Sequence, residues 1–270
     1  MRVTAHLKMN FFLETLRLIV FTIYYHLEAV IKFFIPQKRK DVSGEIVLIT
    51  GAGSGLGRLV AVEFASLGAS LVLWDINLDG LTETKKQVHE QGASRVHCYQ
   101  CDCSDRQAVY QVAEQTYKAF LPAMIEKNHG HLVSVASSAG LTGVNGLADY
   151  CASKFAAVGF AESVALEMIA DAKDGVKTTI VCPYFINTGM FDGCGTKWPR
   201  FLPTLEPDYV AKRIISAILT DQVYLLLPRS LYFILASKGL IPFKQMVILQ
   251  MYFGAFNFMD AFRGREKKKV

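Results

Sequence analysis

Residues 45–57 read E-I-V-L-I-T-G-A-G-S-G-L-G, a short apolar run that leads directly into glycines at positions 51, 53, 55 and 57. The apolar run predicts a buried strand, and the apolar spacing that follows it predicts a helix over 56–67. Residues 70–74 predict a second buried strand, which Asp75 closes. A strand, a glycine turn, a helix, a strand and an acid in this order are typical of a unit that binds a dinucleotide.

The residue types in the turn follow from that chemistry. Glycines let the backbone approach a pyrophosphate, which the N-terminus of the following helix faces. Asp75 can accept hydrogen bonds from the adenosine ribose hydroxyls and would repel a 2′-phosphate, so the sequence favours NAD over NADP. Asp102 follows the third predicted strand, 95–100, where an adenine amino group would be met. The predicted cofactor residues of this half are Gly51, Ser54, Gly55, Leu56, Gly57, Asp75 and Asp102.

A second stretch, 137–154, reads S-S-A-G-L-T-G-V-N-G-L-A-D-Y-C-A-S-K and combines groups that can move a proton. Tyr150 and Lys154 are four residues apart, so they share one face of a predicted helix over 150–171. A nearby ammonium favours the phenolate, and we therefore expect the pKa of Tyr150 to lie below its usual value of about 10. Such a tyrosine is a general acid or base for an alcohol, and Ser137 lies upstream as a further polar group.

The composition limits the partners of the chain. Its 270 residues are 51% hydrophobic, with a mean hydropathy of +0.26 and a net charge of +5. The basic residues cluster at 38–40 and 267–269 rather than on an extended face, so nucleic acid is not an expected partner. Cys98, Cys101 and Cys103 lie close together, but no second ligand cluster has zinc-like spacing, so no metal site is predicted.

The N-terminal segment 11–35 is apolar but too interrupted to predict a membrane-spanning helix. Its charged residues fall on one side of a helical wheel, and they are Glu14, Arg17, Glu28 and Lys32. This pattern predicts a helix that lies in the membrane interface, with packing on a protein surface as the alternative. The membrane surface is therefore an expected partner.

The C-terminal third contains two further apolar segments. Residues 188–205 are rich in turns and predict a lid over a lipophilic substrate, with an ordinary surface loop as the alternative. The tail 231–262 is expected to cover the substrate mouth or to rest on the membrane. The end K-K-K-V resembles a dilysine signal of the endoplasmic reticulum. The predicted divisions are an interfacial helix with a basic linker at 1–41, an NAD-binding domain at 42–228, and an apolar tail with a basic end at 229–270.

The motif T-G-x-x-x-G-x-G, with a serine thirteen residues before Y-x-x-x-K, resembles the short-chain dehydrogenase/reductase family over about 42–227. The amino-acid sequences of 45–58, 71–77 and 143–157 are similar to those of the epidermal retinol dehydrogenase branch of this family. That branch is membrane-associated, and neighbouring branches oxidise retinol or hydroxysteroids.

The resemblance implies a role for each residue of the second stretch. Tyr150 would be the proton donor and acceptor, and Ser137 would hydrogen-bond the substrate oxygen, with Ser138 as the second choice. Lys154 would hold the nicotinamide ribose and lower the pKa of Tyr150. Thr188 would contact the nicotinamide amide.

One interval is too short for that family. Residues 104–130 span 27 positions, whereas two helices, a strand and three connections need roughly 35–50. The chain has no N-N-A-G turn, and the family's catalytic asparagine has no counterpart, since Asn128 and Asn145 lie outside any matching motif. We interpret this as the loss of a contiguous block near Gln115–Thr116. The sheet then either closes by about one strand spacing of 4.8 Å or keeps an open slot.

We therefore predict an α/β fold with a Rossmann-like doubly wound parallel sheet that lacks one central strand. The predicted function is that of a membrane-associated oxidoreductase that transfers a hydride between NAD and a lipophilic alcohol or carbonyl of the retinol or steroid type. The alternative is a catalytically inactive, shortened member of the family that persists as a membrane-bound binding protein. The expected location is the cytosolic face of the endoplasmic reticulum membrane, with lipid droplets as the alternative. The resemblance also implies a homodimer, weakened by the missing helix.

Overall fold

The computed structural model describes residues 11–35, 37–101, 120–257 and 259–263. Parallel strands alternate with helices along the chain, as the α/β prediction requires. The N-terminal elements are α1 Phe11–Phe34, β1 Ile46–Thr50, α2 Gly55–Ser66, β2 Ser70–Asp75, α3 Leu78–Glu90 and β3 Val96–Gln100. The later strands are β4 Gly130–Val135, β5 Val176–Pro183 and β6 Tyr224–Leu227. The later helices are α4 at 120–127, α5 Ala148–Ala170, α6 Pro207–Leu219, α7 Ser230–Lys238 and α8 Phe243–Tyr252.

The strands that the structure describes form two separate sheets, with the orders β1-β2-β3 and β4-β5-β6. Most Cα atoms of β1 lie more than 8 Å from any Cα atom of β4, whereas paired strands are about 4.8 Å apart. The prediction of a shortened sheet is thus confirmed. Of the two outcomes considered for the missing strand, the described part of the chain has the open slot, since β1 and β4 do not pair.

Burial reflects this arrangement. β5 is the central strand of its sheet and is buried along almost its whole length, as a continuous apolar strand requires. β1 and β4 are only partly buried, and Ile46 and Val135 expose 68% and 46% of their surface. Two strands with the sequence pattern of a sheet centre are therefore exposed along one edge each.

Helix packing holds the two sheets together. α2 lies against α6, and one apolar cluster includes Phe64 of α2, Ile214 of α6, Leu71 of β2 and Leu225 of β6. Side chains add a contact before the first residues of β1 and β4, where Nε2 of His129 lies 2.9 Å from the Glu45 carboxylate. The sheets are joined through side chains rather than through a backbone ladder.

The two ends of the chain differ in their packing. α1 exposes large apolar side chains along its length, and Glu28 and Lys32 form an ion pair of 2.7 Å on it. Among the described residues, no helix is long and apolar enough to cross a membrane. The tail packs on the 188–205 segment, since the indole N–H of Trp198 donates to the Tyr252 carbonyl at 2.9 Å. The rings of Phe201 and Phe253 stack at 5.5 Å.

Candidate active site

The loop after β1 is packed too closely for side chains at its centre. A Cβ added at Gly57 would lie 2.1 Å from the Gly51 carbonyl oxygen, and a Cβ at Gly53 would lie 2.8 Å from the carboxyl carbon of Asp75. Gly51 has a φ of 68°, in the left-handed region that other residues rarely adopt. The loop therefore presents bare backbone at the C-terminal end of β1.

The N-terminus of α2 leaves backbone donors available beside this loop. Ser54 is the N-cap residue, with an extended backbone and no capping bond from its side chain. The first N–H groups of a helix have no intrahelical acceptor, which applies here to Gly55, Leu56 and Gly57. A bare loop and uncapped donors fit the pyrophosphate of a dinucleotide.

Asp75 joins the end of β2 to the glycine loop. One carboxylate oxygen accepts a hydrogen bond from the Gly53 N–H at 2.8 Å, and the other accepts one from the Asn77 N–H at 2.9 Å. Each oxygen keeps a further lone pair that a ribose hydroxyl can use. The placement of Asp75 suits the ribose contact predicted for it.

Arg58, which the sequence analysis missed as a site residue, fixes the same loop. Its guanidinium donates to the carbonyl oxygens of Gly53 and Gly80, and its Nε donates to the Thr84 hydroxyl at 2.9 Å. Because the guanidinium hydrogen-bonds the loop and α3 in this way, it is not directed at the position of a ribose 2′-phosphate. The available signal was a basic residue directly after the last glycine of the motif.

Ser137, Tyr150 and Lys154 meet where β4 ends. Ser137 is buried just after β4, and Tyr150 lies in the first turn of α5. The Ser137 hydroxyl lies close enough to the Tyr150 phenol to act on its pKa, and the Lys154 ammonium lies 5.7 Å from the centre of the Tyr150 ring. The structure brings the three predicted residues together, and this proximity supports Ser137 over Ser138, which begins a short 3-10 turn.

The pKa of Tyr150 departs in the direction opposite to our prediction. Burial raises this pKa above 10.0 and outweighs the lowering effect of the hydrogen bond with Ser137. Burial also lowers the pKa of the Lys154 ammonium. The prediction of a lowered tyrosine pKa was wrong because it considered the neighbouring ammonium and not the desolvation of the phenol.

Lys154 hydrogen-bonds the open edge of β4. Its Nζ donates to the Val135 carbonyl at 3.3 Å. The β4 residues that pair with β5 are the even-numbered ones. The Gly130 N–H donates to the carbonyl of Gly175, just before β5, and the Ala136 N–H donates to the carbonyl of Val181 within β5. The Val135 carbonyl therefore belongs to the edge without a neighbouring strand. The lysine satisfies an acceptor that the missing strand leaves unpaired.

The 188–205 segment and the tail lie over Tyr150. The ring of Phe191 lies edge-on to the Tyr150 ring, with centroids 5.7 Å apart. The Arg263 N–H of the tail donates to the Asp192 carbonyl at 2.9 Å. The backbone N–H of Thr188 donates to the Ile186 carbonyl at 2.8 Å. The predicted contact of Thr188 with a nicotinamide stays a prediction. Phe191 was not predicted as a site residue, because only the fold brings it to the tyrosine.

An aromatic groove of about 610 Å³ lies between the 188–205 segment and the tail. It is lined by Trp198, Pro199, Arg200, Phe201, Tyr252 and Phe253. Its volume is in the range of small-molecule sites, and its lining is distinct from the Ser137, Tyr150 and Lys154 set.

Three predictions fall outside the described residues. Asp102, the junction Gln115–Thr116 and the basic end 267–269 lie in the parts of the chain that the structure does not describe. The adenine contact of Asp102 and the dilysine interpretation therefore stay predictions.

Comparison with known proteins identifies relatives of the chain. A model described as short chain dehydrogenase matches residues 45–119 and 115–197. The chain is 50% identical to epidermal retinol dehydrogenase 2 of Mus musculus, over 90% of this chain and 93% of that protein. It is 46% identical to short-chain dehydrogenase/reductase family 16C member 6 of Bos taurus, over 96% of each chain. A short-chain dehydrogenase/reductase of Burkholderia phymatum, solved in complex with NAD, has a TM-score of 0.62 at 22% identity, over 86% of this chain and 100% of that one.

The same comparisons locate the shortened region. The alignment with the mouse protein covers 286 positions and 90% of the 270 residues, about 243, so about 43 positions of the relative have no counterpart here. The two family matches overlap at 115–119, as expected where a family model must be interrupted. Both observations agree with a block lost near Gln115–Thr116.

Proposed function

Because the chain belongs to the short-chain dehydrogenase family, we propose that it transfers a hydride between NAD and a lipophilic alcohol or carbonyl of the retinol or steroid class. The observation that carries this proposal is the meeting of Ser137, Tyr150 and Lys154 at the end of β4, where the Lys154 ammonium lies 5.7 Å from the centre of the Tyr150 ring. A phenol held in this way is equipped to exchange a proton with an alcohol oxygen.

Each residue of this set has a distinct task in the proposed reaction. In oxidation, the Tyr150 phenolate takes the proton of the substrate hydroxyl, and in reduction the phenol gives a proton to the new alkoxide. The Ser137 hydroxyl, which lies beside the phenol, holds the same substrate oxygen. Bound NAD would accept the hydride of the carbinol carbon in the oxidation direction.

The raised pKa of Tyr150 favours one direction at neutral pH. Burial raises the pKa of Tyr150 above its ordinary value, so the protonated phenol, a proton donor, is favoured there. A proton donor serves the reduction of a carbonyl, whereas alcohol oxidation has to wait for the small phenolate fraction.

The glycine loop and its neighbours fit the adenosine half of NAD. The uncapped N-terminus of α2 would hold the pyrophosphate, and Asp75 would accept from the ribose hydroxyls. The hydrogen bonds of the Arg58 guanidinium to the Gly53 and Gly80 carbonyls support NAD rather than NADP as the cofactor. Asp102 is assigned to the adenine, while Lys154 and Thr188 are assigned to the nicotinamide half.

A lipophilic substrate is supported by the relatives and by the surface. The mouse relative is named a retinol dehydrogenase, and retinol dehydrogenase 10-B of Xenopus laevis is 39% identical to the chain, over 97% of this chain and 96% of that protein. The groove between the 188–205 segment and the tail is lined by four aromatic residues, Trp198, Phe201, Tyr252 and Phe253. We assign this groove to the entry of the substrate.

Attachment to a membrane surface is part of the same proposal. α1 exposes apolar side chains that a bilayer interface would cover, and its few charges provide a polar side. The divisions 1–41, 42–228 and 229–270 are retained, with α1 as the attachment element. The proposed location is the endoplasmic reticulum membrane, with the domain on the cytosolic face. Lipid droplets stay the alternative, and a homodimer stays a prediction.

The open slot supports a second candidate function. Lys154 donates to the Val135 carbonyl, and a misplacement of about 1 Å in a catalytic group can lower a rate by about a hundredfold. A chain in this state would be a membrane-bound binding protein of the family without turnover.

One experiment separates the two candidates. NADH formation at 340 nm with retinol, and NADH consumption with retinal, would be measured for the full chain in detergent micelles and for Tyr150→Phe, which removes only the phenolic oxygen. A rate at least about a hundredfold above that of the variant supports turnover. Equal background rates from both chains in both directions would remove the dehydrogenase proposal in favour of the second candidate.

A further inference from the structure

The slot between β1 and β4 has backbone groups available along both walls. Glu45, just before β1, and residues 47 and 49 within it bond to β2. The Ser70 N–H donates to the Glu45 carbonyl, and the parallel register continues from there. Ile46, Leu48 and Thr50 therefore turn their N–H and C=O groups to the slot. On the other wall, His131, Val133 and Val135 do the same.

These edge groups have few partners in the part of the chain that the structure describes. Lys154 donates to the Val135 carbonyl, and no described residue hydrogen-bonds the other slot-facing backbone groups. Unpaired strand edges are templates for another strand.

The slot is wider than the spacing of two paired strands. Most Cα atoms of β1 lie more than 8 Å from β4, whereas paired strands are about 4.8 Å apart. α2 packs against α6 beside this separation. A strand that pairs with both walls requires two strand spacings, about 9.6 Å.

The side chains beside the slot define the chemistry of its occupant. Ile49, Val47 and Val133 belong to or pack against the cluster that α2 and α6 share. Leu132 points the other way, into the cluster of Val164 and Met168 of α5. An occupant would meet apolar neighbours on both faces, as a central parallel strand does.

Only an extended segment can fill such a slot. Each wall already pairs with a parallel strand on its other side, and the cluster that α2 and α6 share packs against both sheets. The sheet edge of a second folded copy carries its own neighbouring strands and helices, so it cannot pair with both walls at once. The relatives carry about 43 positions that this chain lacks, enough for a strand with its flanking connections.

We propose that the slot between β1 and β4 is a binding site for one extended, apolar β-strand supplied by another polypeptide and running parallel to both walls. Its chemistry is that of the strand within the block present in the relatives. The bound strand would pair with Ile46, Leu48 and Thr50 on one side and with His131 and Val133 on the other. It would also compete with Lys154 for the Val135 carbonyl.

Hydrogen exchange of the full chain in detergent micelles tests this site without any need for turnover. The probe is a synthetic peptide that contains the positions of mouse epidermal retinol dehydrogenase 2 without a counterpart here. At a free peptide concentration ten times the Kd, the peptide occupies the slot in about 91% of the protein molecules. Amide exchange in β1 and β4 should therefore slow by about tenfold. A peptide with proline at alternate positions has no N–H donors toward one of the two walls and should protect the amides of that wall far less.

Matched variants of the chain locate the effect. Leu48→Lys places a charge on a slot wall and should weaken peptide binding by at least about tenfold, whereas His97→Lys, on the exposed face of β3, should leave it unchanged. Melting curves of both variants establish that they fold. Unchanged exchange in β1 and β4 would overturn the proposal. Equal protection of amides on the outer edge of β3 would also overturn it. Protection of β1 and β4 that grows with protein concentration in the absence of peptide would overturn it as well, because it would indicate that a second copy occupies the slot.

Discussion

Lowering the pH should destabilise the protein through His131 of β4, whose side chain is 10% exposed. Its Nδ1 lies 2.6 Å from the Lys40 ammonium, and its Nε2 lies 2.8 Å from the Thr179 hydroxyl. An ammonium only donates, so Nδ1 accepts and the neutral ring donates from Nε2 to Thr179. The Thr179 hydroxyl in turn donates to the Gln222 carbonyl at 2.7 Å. A second proton on the ring would face the ammonium.

The magnitude follows from the pKa of this histidine. Burial, followed by the charge of Lys40, lowers the pKa of His131 to about 4, while Asp221 acts to raise it and Lys177 to lower it. The unfolded chain, with a pKa of about 6.5, takes up the proton first as the pH falls. The stabilisation is therefore complete above pH 6.5 and is lost toward pH 4. At 1.36 kcal/mol per pKa unit, the loss approaches about 3 kcal/mol, of which about 2 kcal/mol is reached by pH 5.

Urea unfolding at pH 7.5, 6 and 5 and constant ionic strength measures this loss. The matched variant is His131→Gln, which keeps an amide donor and has no titrating group. Other residues titrate alike in both chains, so the difference between them isolates the histidine. The native chain should lose about 2 kcal/mol more than the variant between pH 7.5 and 5. Equal losses would show that His131 is not held neutral by its surroundings.

Three further predictions concern the site and α1. Gly57→Ala should weaken NAD binding by at least about tenfold in a fluorescence titration, because the added Cβ would meet the Gly51 carbonyl oxygen. The control variant Gly143→Ala should bind NAD normally, because no atom lies within 4 Å of its Cβ. Alcohol oxidation should accelerate about tenfold per pH unit between pH 7 and 9, while carbonyl reduction stays level, because the pKa of Tyr150 lies above that range. A level oxidation profile would show that another group is the base. Ile23→Glu in α1 should reduce co-sedimentation of the protein with phosphatidylcholine vesicles. The matched control is Ile169→Glu in α5, which should have no effect, because Ile169 is 58% exposed and Ile23 is 56% exposed. Equal effects of the two variants would exclude α1 as the attachment element.

The sequence predicts the features that depend on near neighbours along the chain. β2 ends at Asp75 and the glycine loop precedes α2, because apolar alternation and glycines act locally. The meeting of Ser137 with Tyr150 also follows, since one residue closes a strand and the other opens the next long helix. The pKa of Tyr150 could not be predicted, because it depends on burial, to which distant residues such as Phe191 contribute. The bond of Lys154 to the Val135 carbonyl likewise depends on whether a strand edge is paired.

The state of the slot was open to two interpretations from the sequence, and the energetics of helix packing explain the outcome. Closing the slot would pair up to about five backbone hydrogen bonds, each with a net value of about 1 kcal/mol. It would also shift one sheet by about 4.8 Å, so α2 and α6, which already pack against each other, would have to repack. The cluster shared by those helices buries Phe64, Val210, Ile214 and Ile218, and burial of each such side chain contributes about 1.5–3 kcal/mol. Helix packing therefore outweighs strand pairing and keeps β1 apart from β4.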